Sequence, residues 1–176
     1  AGKVVMPGGV EAHAHIAEPM YRGWTRGEEK WLQSPEAATH AAIFGGTTTV
    51  VSFAFMDVHT RKVGFDANIA VQDRIKVFRG HSYADFAFHP VLTGAPSPAT
   101  IASIAEAIAD GTASFKVFTT DVTTGQNGIK IPDGSILEVM EVVAAHGGLV
   151  ARAGGGAAAS AASPRRFLGA RRGRRA

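Results

Sequence analysis

The stretch EAATHAAIFGGTTTVVSFA, Glu36 to Ala54, contains one complete change of period. Its first half is alanine-rich and follows Ser34-Pro35. Serine caps a helix well, and proline suits the first helical position because the N–H it lacks would have no partner there. The helix is expected to run to about Phe44 and to stop at Gly45-Gly46. Thr47 to Ala54 is then dense in β-branched residues and reads as a buried strand.

The same alternation extends in both directions. Upstream, Lys3 to Met6 is a short apolar run closed by Pro7-Gly8-Gly9, read as a strand leading into His13-Ala14-His15. Residues 17–34 are polar and irregular, a long loop holding Trp24 and Trp31. Downstream, helices are predicted over Phe65–Phe78, Pro98–Ala109 (with Ser97 as cap) and Ser135–His146. Strands are predicted over Tyr83–His89 and Ala113–Phe118, and another begins at Leu149-Val150. Four rounds of strand and helix imply parallel strands joined by crossover helices. A doubly wound sheet and a (β/α) barrel both satisfy this pattern.

Composition narrows the chemistry. The 176 residues suffice for one domain with a sizeable core. There is no cysteine, so a metal site must use His, Asp, Glu or something unusual. The net charge of +3 misleads: residues 151–176 hold seven arginines and no acidic residue. Without them the chain has 11 basic residues against 15 acidic, a net of −4. Nucleic acid is therefore not an expected partner. No apolar run reaches the roughly 18 residues of a membrane span. No basic-then-apolar leader opens the sequence. A cytoplasmic location without membrane contact is expected. Two segments are distinguished: residues 1–150 with the strand-helix grammar, and residues 151–176, an Ala/Gly/Arg-rich tail expected to be disordered or frameshifted.

Four features carry chemistry. On a strand, His13 and His15 leave the same face and form a fork suited to a metal ion; the bland alternative is a polar strand end. His40 with Gly45 to Thr49 reads best as a helix stop and strand start. Lys116 lies among Phe115, Val117 and Phe118. A lysine in an apolar strand is costly unless paired or chemically altered. It is either an edge lysine with its head in water or a functional amine with a lowered pKa. His89 is either a structural hydrogen-bonding histidine at a barrel end or part of a site.

Three segments together resemble the cyclic amidohydrolases (dihydropyrimidinases, hydantoinases, allantoinases and dihydroorotases): PGGVEAHAH at 7–15, EAATHAAIFGGTTTVVSFA at 36–54 and GTASFKVF at 111–118. The resemblance covers the N-terminal half of that family's barrel. It implies a partial TIM-like (β/α)8 barrel of about four βα units, with the site at the C-terminal face. It further implies two divalent ions, most simply zinc, with His13 and His15 as ligands and Lys116 carboxylated by CO2 to bridge them. The implied reaction is ring opening of a cyclic amide or ureide to an N-carbamoyl acid. The implied parent is a homo-oligomer, a tetramer or dimer.

Departures from the family pattern shape the expectation. Glu11 stands where Asp is usual. Asp121 occupies the position of a substrate-binding Tyr, and an aspartate would repel a developing oxyanion. No histidine follows Val150, so a second-metal histidine and a later proton-shuttling aspartate have no counterpart, and no catalytic residue is assigned. The preceding β-sandwich is not read either. The expectation is an inactive fragment whose tail comes from a shifted reading frame, prone to aggregate or dimerise through an open edge where strand five should pair. A natural basic tail is the alternative for that segment. A non-catalytic, dihydropyrimidinase-related scaffold is the alternative for the function.

Overall fold

The computed structural model describes residues 2–20, 30–55, 66–120 and 129–154. Strands and helices alternate along them: β1 Gly9–Ala14, α1 Pro35–Phe44, β2 Thr47–Phe55, α2 Ala67–Phe78, β3 Asp85–Leu92, α3 Pro98–Ala109, β4 Ser114–Phe118, α4 Asp133–Ala145 and β5 Leu149–Ala153.

Local chemistry sets most of these boundaries. The Ser34 hydroxyl accepts from the Ala37 N–H, and Pro35 opens α1. Gly46, at φ +84°, turns the chain out of α1 and into β2, a conformation glycine adopts without penalty. Asp66 caps α2 by accepting from the N–H groups of Asn68 and Ile69, and the helix starts at Ala67; the predicted start, Phe65, lies outside the described residues. Ser97 caps α3 in the same way.

All neighbouring strands pair in parallel, in the order β1-β2-β3-β4-β5. This order decides between the two architectures left open by periodicity. A doubly wound sheet reverses its strand order at a switch point. Here every crossover advances by one strand in the same direction, as around a TIM barrel. The fold is half of such a barrel, five parallel strands with four helices.

Two faces of the sheet follow from the two-residue period of a strand. On the face toward the helices, Val50, Ala54 and Phe88 cluster with Phe78 of α2, and Leu92, Phe115 and Val117 cluster with Ile104 of α3 and Val143 of α4. The opposite face carries a smaller cluster of Phe53, Val91 and Phe118, flanked by Phe55, Ile129 and Ala153. Lys116 shares that face with Phe118 and Ser114.

Several sequence expectations need correction. Lys3–Met6 is not a strand; Val4 and Val5 are 88% and 96% exposed. Pairing starts only where the Gly9 N–H donates to the Gly46 carbonyl, beyond Pro7. Gly8 is pressed so closely on β2 that a Cβ there would lie 2.1 Å from the Thr48 hydroxyl oxygen. His89 is not at the end of β3 but in its middle. Strand five is present: β5 pairs with β4 from Leu149 to Ala153, three residues past the change in composition. Hydrogen bonding along β4 decides its extent, and small residues such as Ala151 and Ala153 satisfy that ladder. The unpaired edges among the described residues are therefore those of β1 and β5. Residues 155–176 lie outside the described residues. Among those described, no helix is long and apolar enough to cross a membrane.

Candidate metal centre

β1 does not run regularly beside β2. Glu11 pairs with Val50 and Ala14 with Ser52, so three steps on β1 match two on β2. The extra residue is a β-bulge at Ala12-His13, a device that bends a strand and re-aims its side chains. The Glu11 carboxylate accepts from the His13 N–H at 2.8 Å and fixes the backbone there. The His13 and His15 rings lie 5.6 Å apart. Both pack on Phe53 of β2, at 4.8 and 4.5 Å between centroids. The two rings thus sit over one buried phenyl, as a same-face fork requires.

Lys116 comes to this place from β4. It is 3% exposed, and its Nζ lies 3.3 Å from Nε2 of His13. The same Nζ is 3.9 Å from the centre of the Phe53 ring and 5.0 Å from that of Phe118. Among the described residues no carboxylate lies within ion-pair distance of it. Loss of water pushes the amine below its ordinary value of 10.5, and the more distant charge of Glu18 opposes that shift. His13 is also pushed down, first by loss of water and then by the positive potentials of Lys116, His15 and His89. Both groups are biased toward the neutral forms that bind metal or CO2.

Glu18 orients the second histidine. Its Oε2 is 2.7 Å from Nδ1 of His15, and its Oε1 is 3.5 Å from the Ser52 hydroxyl. A carboxylate accepts only, so Nδ1 carries a proton, and in the neutral ring Nε2 is the nitrogen with the free lone pair. The turn that brings Glu18 back passes through Ala17, which holds φ +50°, a strained value for a residue with a Cβ. Arg74 of α2 stabilises the turn by donating to the Ile16 and Ala17 carbonyls, with its guanidinium over Phe78 and Phe88. Burial lowers the Arg74 pKa and Glu18 opposes this.

The donors suit a borderline divalent ion such as zinc, which favours imidazole nitrogen and carboxylate-type oxygen. Two imidazoles sharing one tetrahedral zinc at about 2.1 Å per nitrogen hold their rings roughly 5 Å apart, close to the separation seen. The carboxylate behind His15 is the usual support for a zinc-binding imidazole. Among the described residues, no three His, Asp or Glu side chains converge on one point; the groups brought together here are the two imidazoles and the Lys116 amine.

The sequence-predicted residues fare differently. His13 and Lys116 are in contact, and His15 joins them over Phe53. His40 stands apart, packed on Phe44 and Tyr83, so that segment is a helix stop and strand start. Asp121 lies outside the described residues, as does Trp24. Glu18, Phe53, Arg74 and Ser114 were not singled out from sequence. Glu18 three residues after His15 was a usable signal. Phe53 was not, because an all-apolar strand does not reveal which face each residue takes.

Comparison with known proteins follows the same lines. No family model matches the chain. The D-hydantoinase of Streptomyces coelicolor is 33% identical over 152 residues, which cover 85% of this chain and 29% of that protein. The dihydroorotase of Pyrococcus furiosus is 31% identical over 93 residues, 53% of this chain and 19% of that protein. A solved D-hydantoinase structure superposes with a TM-score of 0.70 at 26% identity, covering 93% of this chain and 32% of that one. The chain therefore spans about a third or less of the length of the relatives it matches, in their N-terminal part.

Proposed function

We propose that this chain, whose sequence and fold match the first part of a cyclic amidohydrolase barrel, supplies half of the metal site of a hydrolase acting on cyclic amide C–N bonds. The substrate class is a dihydropyrimidine- or hydantoin-type ring, opened to an N-carbamoyl acid. The observation that carries this reading is the meeting of the buried Lys116 amine with Nε2 of His13, beside a His15 whose tautomer is set by Glu18.

His13 and His15 would hold a divalent ion, zinc by donor type, and Lys116 would bridge it to a second one as a carbamate. Such ions, when bound, supply Lewis acidity toward water and an amide carbonyl. The protein's own contribution is to prepare the ligands. Burial keeps a fraction of Lys116 as free amine. That amine adds to CO2, forming a new N–C bond and releasing one proton, and the product is an anion. Counted from the ammonium form two protons leave in all, and the buried cation would become a buried carboxylate-like group that calls for the positive charge of bound metal ions. Phe53 excludes water from below.

The described residues complete less than a two-ion site, so the 176-residue chain alone is proposed to have little hydrolase activity. The test is zinc uptake by the purified chain with and without bicarbonate, read by elemental analysis, with ¹³C-labelled bicarbonate to detect the carbamate by NMR. Uptake should depend on bicarbonate and disappear in Lys116→Ala. Uptake indifferent to both changes would overturn the ligand assignment. Metal content of the full-length parent separates this reading from a non-catalytic scaffold: about two zinc ions per chain if catalytic, none for a scaffold. Opening of hydantoin or dihydrouracil by the chain alone at ordinary enzymatic rates would refute its inactivity.

A further inference from the structure

We propose that His89 is a positioning residue that locks the β1 bulge to β4 and so sets His13 against Lys116. His89 lies in the middle of β3 and is buried. Its Nε2 is 3.0 Å from the Ala12 carbonyl, and its Nδ1 is 2.6 Å from the Ser114 hydroxyl. A carbonyl only accepts, so Nε2 carries a proton, and in the neutral ring Nδ1 accepts from the Ser114 O–H.

Both partners sit next to a proposed ligand. Ala12 precedes His13 and belongs to the bulge, where neither residue has a register partner on β2. Ser114 lies two residues before Lys116 on β4, on the same face. The imidazole passes over β2, with its centroid 5.5 Å from that of Phe53, and joins strands that are not neighbours. β3 and β4 share only two register pairs, Val91 with Lys116 and Leu92 with Val117. The side-chain bridge thus acts where the ladders on both sides are weakest. With both nitrogens engaged, His89 is not itself a ligand. Its effect passes through the placement of the His13 backbone.

The inference rests on His13 and Lys116 being ligands, so one readout is independent of metal. In the metal-free 176-residue chain, ¹⁵N NMR should show His89 as the Nε2–H tautomer. The His13 ring signals should shift in His89→Phe and return in His89→Gln, which can still donate toward Ala12. With zinc and bicarbonate, His89→Phe should weaken binding by about 10- to 100-fold, the usual effect of losing a supporting partner. His89→Gln should recover most of that, and Ser114→Ala, which keeps the Ala12 bond, should lose less than His89→Phe. An Nδ1–H tautomer, or His13 signals and zinc affinity unmoved in His89→Phe, would overturn the proposal. If the wild-type chain takes up no zinc while the His13 signals respond as described, the ligand assignment fails and the clamp survives. His89→Gln and Ser114→Ala keep the test valid should His89→Phe fail to fold.

Discussion

The Lys116 amine and Nε2 of His13 are 3.3 Å apart in space and 103 residues apart in sequence. A lysine donor has no structural reason to be sealed between an imidazole and two phenyl rings. The arrangement carries a desolvation cost that packing alone does not explain. Lys116→Met is a direct probe. It replaces a buried amine by an apolar chain of similar length. The melting temperature should stay level or rise, while bicarbonate-dependent zinc uptake vanishes. A large loss of stability would mean that the amine holds the strands together.

The lowered His13 pKa sets a pH dependence for the metal-free chain. Between its folded value and the ordinary 6.5, the unfolded chain binds a proton that the folded chain does not. Stability must then fall as pH drops below 6.5 through that window and level off beneath it. Urea unfolding from pH 8 down to 5 checks this. His13→Gln should flatten the part of the decline that the wild type shows in this range.

Glu18 should matter through His15. Glu18→Gln keeps the size but can present an amide N–H to Nδ1, which favours the wrong tautomer for a ligand at Nε2. Zinc affinity should fall by about 10- to 100-fold. The ring nitrogen shifts of His15 should report the changed tautomer in the absence of metal.

Ala17 stores strain at φ +50°. Ala17→Gly removes a penalty of roughly 1 kcal/mol, less the extra freedom glycine gains in the unfolded chain. Chemical denaturation should show a midpoint unchanged or raised, with zinc affinity retained. A clear loss of affinity would mean that the strained turn itself helps to aim Glu18.

Phe53 is 1% exposed and lies under His13, His15 and Lys116. Phe53→Ala should cost about 3–5 kcal/mol, a large share of the total stability of a domain this size. Phe53→Leu, which fills more of the space, should cost less and leave the melting transition measurable. Equal effects of the two would show that the ring is not packed as described.

Much of the architecture was legible because it is local. Ser34-Pro35 and Gly45-Gly46 bracket α1 at the positions found, and Ser97 does the same for the start of α3, since caps and breakers act within a turn of where they stand. The β-branched run at Thr47 marked β2 for the same reason. The histidine fork and the misplaced lysine were visible as residue types in the wrong company.

Tertiary structure alone decided the rest. Periodicity reports which residues are buried but not the order in which strands lie, so only the sequential sheet excluded a doubly wound fold. Lys3–Met6 looked like a strand because it is apolar, yet a strand needs a partner ladder and it has none. β5 looked finished at Val150 because its composition changes there, yet backbone hydrogen bonds to β4 are indifferent to composition. The roles of Glu18, His89 and Ser114 depend on contacts reaching over strands and turns. Single-chain patterning holds no record of such distances, because they arise only when the sheet curves and brings its inner face together.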